Sequence, residues 1–166
     1  MTAACVTGRF QPIHNEHLRL MHDIAARGEQ LVIGVTNPTG TATAAAQSVH
    51  RHLADANPLT FAQRAELIAA ALGDLAHRVV AFDLDAPAAW PGIVPLTVTQ
   101  VVGVKSDWER AKLRRFAAAG YPTRALAVRN PDCCSSAVRA ALAAGSSDWR
   151  TLVPAATIPL LEEMLA

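Results

Sequence analysis

The stretch that most constrains the fold is Val6-Thr7-Gly8-Arg9-Phe10-Gln11-Pro12-Ile13-His14-Asn15-Glu16-His17. It begins as an apolar run, Ala3 to Val6, that reads as a short buried strand. It turns at Gly8, is punctuated by Pro12, and delivers His14 and His17 to the point where Leu18, Met21, Ile24 and Ala25 take up helical spacing. A strand that ends in a glycine turn and feeds a helix creates an anion site. The unpaired N–H groups of the first helical turn and the positive end of the helix dipole face the loop. Arg9 adds a planar fork of donors suited to phosphate, and the two imidazoles stand at the same mouth.

Gly8-Arg9-Phe10-Gln11-Pro12 followed by His14-x-x-His17 resembles the nucleotidylyltransferase superfamily. It is most similar to archaeal-type nicotinamide mononucleotide (NMN) adenylyltransferases, whose signature is GRFQP followed by HxGH. Glu16 stands where that signature has glycine. A glycine there suggests close backbone approach to a ligand. A glutamate must point away or reshape the pocket, and its charge would repel phosphate.

The chain has 166 residues, of which 51% are hydrophobic and 17% charged, so one globular domain with a substantial core is expected. A formal net charge of +1 offers no broad basic field, and nucleic acid is not an expected partner. The N-terminal residues lack a basic n-region, and no stretch is long enough to span a membrane. Three cysteines, Cys5, Cys133 and Cys134, do not make a disulfide framework, and their spacing does not suggest a zinc site. A reducing cytoplasm is the expected location.

Gln30 to Val35 is a continuous apolar run of the kind buried on both faces in parallel sheets. A stretch from Thr36 to Asn57, containing His50-Arg51-His52, is too long for a passive connection and reads as a functional loop or a surface insertion. Thr60 and Gln63 form a capping box for a helix ending near Leu72, before Gly73. Arg64 lies in the first turn and a half of that helix, where the dipole disfavours a cation, which points to another reason for it, with a surface arginine as the alternative reading. Strands are expected at Arg78–Phe82, Thr99–Val104 and Thr123–Val128. Between the first two lies a proline-rich loop, Asp83–Pro95, carrying Trp90. A helix capped by Ser106 follows, whose charges (Lys105, Arg110, Lys112, Arg114, Arg115) read as a solvated face. The alternation of strands and helices predicts a doubly wound parallel α/β sheet, a Rossmann-like fold with C-terminal helices.

A second constellation, Cys133-Cys134-Ser135-Ser136-Ala137-Val138-Arg139, opens a helix after the fifth strand. Hydroxyls at a helix start can cap it, and the same terminus can bind anions. The segment resembles the superfamily's second signature, ISSTxIR, with Ser136 in the threonine position and Cys134 in that of the first serine. Asp148-Trp149-Arg150-Thr151-Leu152-Val153-Pro154 resembles the WxxLVP segment, so the resemblance spans nearly the whole chain.

The resemblance implies adenylyl transfer from ATP, with Mg²⁺, to NMN, forming NAD and releasing pyrophosphate. It implies His14, His17 and Arg139 as catalytic groups. It implies Gly8, Arg9, Phe10, Gln11, Ser135 and Ser136 as phosphate-binding groups, and Trp90 as a platform for the acceptor ring. Pro87 occupies the position of an amide-reading asparagine and has no side-chain donor. A cytidylyl- or adenylyltransferase acting on another phosphate or phosphonate metabolite is therefore a second reading. A nucleotide-binding protein impaired in catalysis is a third. The resemblance also implies a homo-oligomer.

Overall fold

Strand β1, Ala3–Gly8, is the axis of the molecule. It pairs in parallel with β2, Gln30–Val35, on one side and with β4, Thr99–Val104, on the other. Strand β3, His77–Ala81, completes one edge and β5, Thr123–Ala127, the other, giving the order β3-β2-β1-β4-β5. This computed structural model describes residues 1–39 and 53–165. Most of the Thr36–Asn57 stretch, with His50, Arg51 and His52, thus lies outside the described residues.

The sheet divides the core because successive strand residues point to opposite faces. On one face Ala4, Val6, Leu31, Ile33, Val35 and Val101 pack with apolar residues of three helices: α1, Asn15–Ala25, α2, Phe61–Leu72, and α5, Ser135–Ala143. Leu161 of α6, Ile158–Met164, joins the same cluster. On the other face Cys5, Val32 and Val102 pack with Trp90 and Val94, at the short helix α3, Trp90–Ile93, and with Phe116 of α4, Asp107–Ala118. Helices on both faces of a parallel sheet make the doubly wound architecture that the strand–helix alternation predicts.

Two expected caps are present. The Thr60 hydroxyl accepts the Gln63 N–H at 3.2 Å while the Gln63 side chain accepts the Thr60 N–H at 2.9 Å. Glu109 accepts the Ser106 N–H at 2.9 Å. The Asp83–Pro95 segment departs from a plain loop. A 3-10 turn, Pro87–Ala89, runs into α3, with Pro91 near its start, where proline's fixed φ and missing N–H cost least.

The order β3-β2-β1-β4-β5 reverses direction between β1 and β4. At such a switch point the connections leave the two strands toward opposite faces and open a crevice at their carboxyl ends. Both motif segments lie there.

Candidate active site

The cleft at the switch point is lined by the end of β1 (Val6, Thr7, Gly8), the turn residues Arg9 and Phe10, and His14 and His17 of α1. Its far wall comes from Val102 and Gly103 of β4 and from Lys105, Trp108 and Lys112. Cys134, Ser135 and Ser136, at the start of α5, close it.

The turn after β1 holds a demanding backbone. Phe10 has φ of 51°, a left-handed conformation rare for a bulky residue. Its ring lies under Gly8, where a Cβ would come within 3.0 Å of the Phe10 Cζ. The ring also meets His17 edge-on at 4.8 Å between centroids. Phe10 therefore supports the histidine from below. His14 caps α1, and its ring stacks on that of His17 with centroids 3.6 Å apart. The His14 N–H donates to His17 Nδ1 at 3.4 Å, which assigns the His17 proton to Nε2. Burial, reinforced by Lys105, pulls the His14 pKa down to about 3. Burial also holds His17 well below its ordinary value, with His14, Lys112 and Lys105 adding to the effect. Both rings are thus neutral at pH 7. They can donate to an anion through N–H groups without being paired to a resident carboxylate.

The two constellations meet. Ser135 Oγ donates to the Pro12 carbonyl at 2.8 Å, and Arg139 Nη1 donates to the Gln11 carbonyl at 2.6 Å. Residues 11–12 and 135–139, more than a hundred positions apart, form one rim around the N-termini of α1 and α5. Arg139 stands on this rim beside the cleft lining. Ser136 Oγ lies 3.2 Å from Cys134 Sγ, and both face the cleft. Although burial opposes ionisation, the Ser136 hydroxyl, the Ala137 N–H and Lys105 bring the Cys134 pKa below the ordinary thiol value. The terminus of α5 therefore favours negative charge. Arg9 reaches across to the Ala56 carbonyl at 3.1 Å.

Two sequence expectations are corrected by where the side chains lie. Gln11 is buried and is not among the residues lining the cleft, and both ends of its amide are engaged. Nε2 donates to the Leu59 carbonyl at 2.8 Å, while Oε1 accepts the Leu59 N–H at 2.9 Å. Its side chain clasps the segment before α2 to the motif turn and does not reach into the cleft. Trp90 is only 1% exposed and is a core residue. Its ring stacks on Phe82 at 5.4 Å and tilts against Phe116 at 5.1 Å, while Nε1 donates to the Asp83 carbonyl at 2.7 Å. The Arg115 guanidinium also lies over the ring, 5.7 Å from its centroid, so Trp90 is enclosed by Phe82, Phe116 and Arg115 and is not presented to the cleft.

Glu16 lines the cleft but is paired. Its carboxylate takes the Arg19 guanidinium at 3.0 Å and the Arg129 N–H at 3.1 Å. Arg19 in turn donates to Asp23 at 2.6 Å and to the Ala127 carbonyl at 2.9 Å. The glutamate thus fastens the segment after β5 to α1, while its charge is still felt at His14, whose pKa it acts to raise.

Sequence reasoning missed three residues. Lys112 is not part of a solvated face: it is buried, and Nζ donates to the Thr7 carbonyl at 2.6 Å. Trp108 lines the cleft, where an aromatic was expected from Trp90. Arg64 is fully buried and donates to the carbonyls of Arg9 at 2.9 Å, Thr36 at 2.6 Å and Asn37 at 2.8 Å. Its position on α2, against the dipole, was the signal available for Arg64. Lys112 and Trp108 had none beyond helical spacing.

A doubly wound sheet with two helix N-termini, neutral imidazoles and arginines around its switch point defines a class: α/β proteins with an anion-suited crevice at the carboxyl edge of the sheet. The particular family follows from sequence comparison. The chain belongs to the cytidylyltransferase-like family, whose model matches residues 5–152, and it is a nucleotidyltransferase. It is 34% identical over 165 residues to a phosphonoformate cytidylyltransferase of Streptomyces viridochromogenes, covering 95% of this chain and 89% of that one. It is 30% identical over 168 residues to a nicotinamide-nucleotide adenylyltransferase of Methanolobus tindarius, covering 99% and 90%. Its fold matches the crystal structure of a bifunctional NMN adenylyltransferase/ADP ribose pyrophosphatase from Francisella tularensis, with a TM-score of 0.65 at 19% identity. That match covers all of this chain and 51% of the other, so the chain spans about half the length of that structure. Among the described residues no helix is long and apolar enough to cross a membrane.

Proposed function

We propose that this protein transfers a nucleotidyl group from a nucleoside triphosphate to a small acceptor bearing a phosphate or phosphonate, releasing pyrophosphate. The observation that carries this reading is the joint rim. Ser135 and Arg139 of the second motif bond to the carbonyls of Pro12 and Gln11 in the first, beside the stacked His14 and His17.

In the proposed reaction an acceptor oxygen, already anionic, attacks the α-phosphorus in line. The new O–P bond forms as the bond from the α-phosphorus to the β-bridging oxygen breaks, and the leaving pyrophosphate takes the electron pair. No proton need be removed from the acceptor. Catalysis then reduces to aligning two anions and stabilising charge on oxygens. His17 Nε2–H and the His14 ring donate to the α-phosphate region. The N–H groups at the start of α5, the Ser136 hydroxyl and Arg139 receive the charge that builds on the leaving phosphates, Ser135 holds the two motifs together through the Pro12 carbonyl, and Arg9 serves the phosphate chain at the turn.

Mg²⁺ is proposed to arrive with the triphosphate. Among the described residues no group of three His, Cys, Asp or Glu side chains could hold a metal. The two acids lining the cleft are otherwise engaged, Glu16 with Arg19 and Glu109 with the Ser106 amide and hydroxyl. The residues present therefore do not build a protein-ligated centre, and the ion would be held chiefly by phosphate oxygens.

ATP with NMN is one substrate pair, supported by the adenylyltransferase relatives. A second pair, CTP with a compact phosphonate or phosphate, is supported by the cytidylyltransferase relative. It is also favoured by one observation: Trp90, which would stack a nicotinamide ring, is enclosed in the core. Pyrophosphate release from CTP and from ATP, each with NMN and with phosphonoformate, tests the reading. Turnover in at least one of the four combinations is expected. Tight triphosphate binding with no pyrophosphate in any of them would make the protein a nucleotide sensor.

A further inference from the structure

The ladder between β1 and β4 ends early. β1 pairs with β2 as far as Gly8 and Val35, but with β4 only as far as Val6 and Val101. Beyond that point the two strands part, and the cleft opens in the fork. Successive carbonyls of a strand point to its two sides in turn. Gly8 accepts the Thr36 N–H on the β2 side at 2.8 Å, so the Thr7 carbonyl is directed to the β4 side, into the fork. The Lys112 ammonium sits there, with Nζ donating to that carbonyl at 2.6 Å. Lys112 belongs to α4, which packs on the sheet face opposite α1 and α5. The fork is thus approached from one face by His14 and His17 and from the other by Lys112.

The charge at the fork is fixed and poorly hydrated, since Lys112 lines the cleft yet is only 6% exposed. It is felt at His17, whose pKa it helps to lower. Other cations of the lining are placed differently. Arg19 is held by Glu16 and Asp23, Arg9 donates to the Ala56 carbonyl, and Lys105 stands exposed. The two imidazoles are neutral and offer N–H dipoles without charge. Thr7, also in the lining, has a buried hydroxyl with no hydrogen-bond partner among the described residues. A phosphorus held at the fork by the histidines would therefore have a desolvated ammonium on its other side.

We infer that Lys112 is a further catalytic residue: its ammonium takes one non-bridging oxygen of the α-phosphate from the α4 face, while His14 and His17 hold the other from the α1 face. The inference rests on the nucleotidyl-transfer reading above. As the acceptor oxygen bonds to the α-phosphorus and the bond to the bridging oxygen breaks, charge spreads over the oxygens around the phosphorus. Lys112 transfers no proton. It donates a hydrogen bond throughout, and the electron pair leaves with pyrophosphate. A fixed cation in a dry site stabilises such charge more than one in water does.

The test uses the two α-thiotriphosphate diastereomers of ATP and of CTP, in which sulfur replaces one or the other non-bridging oxygen. Pyrophosphate release with NMN and with phosphonoformate is measured beside the unsubstituted triphosphates, for the full chain and for Lys112→Met, Lys112→Gln and His17→Ala. Sulfur is larger than oxygen and a weaker acceptor, so each diastereomer spoils one contact. Lys112→Met should lower kcat with the unsubstituted triphosphate by about tenfold to a hundredfold and change its KM by less than about threefold. It should also shift the rate ratio of the two diastereomers by about fivefold or more, and His17→Ala should shift that ratio in the opposite sense. Lys112→Gln keeps an N–H donor for the Thr7 carbonyl without the charge, and should show the same loss and the same shift. Loosening of the end of β1 would slow both diastereomers alike. An unchanged ratio in Lys112→Gln, or a wild-type kcat in that variant, therefore overturns the role of Lys112 while nucleotidyl transfer stands. No pyrophosphate from the wild type with any triphosphate and acceptor overturns both.

Discussion

Replacing Arg139 by alanine is expected to lower kcat/KM for pyrophosphate release by about 10²–10³-fold, the usual effect of losing one donor aimed at developing charge. The Arg139 guanidinium is held by the Gln11 carbonyl at 2.6 Å, at the joint between the two motifs, and so is fixed in place before any ligand binds. Fixed charge costs little reorganisation as the leaving group takes up electrons, which makes it worth more there than a mobile surface arginine. The loss should appear mainly in kcat, because the contact strengthens as pyrophosphate departs. Arg139→Lys keeps the charge but loses the planar fork, and should recover only part of the rate. The contact to Gln11 is also structural, so the melting temperature of each variant must be read beside its rate. A folded Arg139→Ala protein with near-wild-type kcat/KM would remove Arg139 from the reaction.

The largest effect on stability is expected at Arg64. Its guanidinium ties α2 to two other backbone segments through three carbonyls: Nη1 to those of Arg9 and Thr36 and Nη2 to that of Asn37, with Nε reaching the Thr60 carbonyl at the helix's own cap at 3.2 Å. Burial lowers its pKa to about 10, which still leaves it charged at neutral pH. Arg64→Met keeps much of the side-chain volume but strands buried carbonyls without donors. The cost should be roughly 3 kcal/mol or more, because each unsatisfied buried group costs about 1–3 kcal/mol. For a chain of this size that corresponds to a fall in melting temperature of about 10 °C. Lysine should not rescue it, since one ammonium cannot reach all of these carbonyls. The Arg9 carbonyl is one of the partners, so the motif turn should loosen as well. A melting temperature within about 2 °C of wild type would show that these hydrogen bonds contribute far less than their burial implies.

The contrast between these two arginines shows what the sequence carries. Arg139 was legible because it belongs to a short local pattern, Ser135-Ser136-x-x-Arg139, at a helix start. Strands β2 and β4 were legible to the residue for a similar reason: Gln30–Val35 and Thr99–Val104 are short runs dominated by Val, Ile and Leu, each with one interior glycine. The capping boxes at Thr60 and Ser106 are also local. The role of Arg64 is not, because its partners are 27, 28 and 55 positions away and are backbone carbonyls, which no residue type announces. Gln11 illustrates the same limit. It sits within the motif, yet its amide faces Leu59, 48 positions on. Trp90 was assigned to the cleft by correspondence with a motif position. Packing decided otherwise, since a large ring beside Phe82 and Phe116 gains more from the core than from solvent. Lys112 reverses the usual expectation for a charged helix: its position on α4 turns it under β1, where the Thr7 carbonyl receives its ammonium.

The central claim is that the chain's two distant motifs close on one triphosphate. The most direct measurement is a crystal structure with a triphosphate analogue whose α–β bridge cannot be cleaved. A single phosphate chain is expected in the cleft between β1 and β4. It should lie within hydrogen-bond distance, about 3 Å, of both the His17 ring and the Arg139 guanidinium. Phosphates bound to only one of the two segments, or outside the cleft, would contradict it.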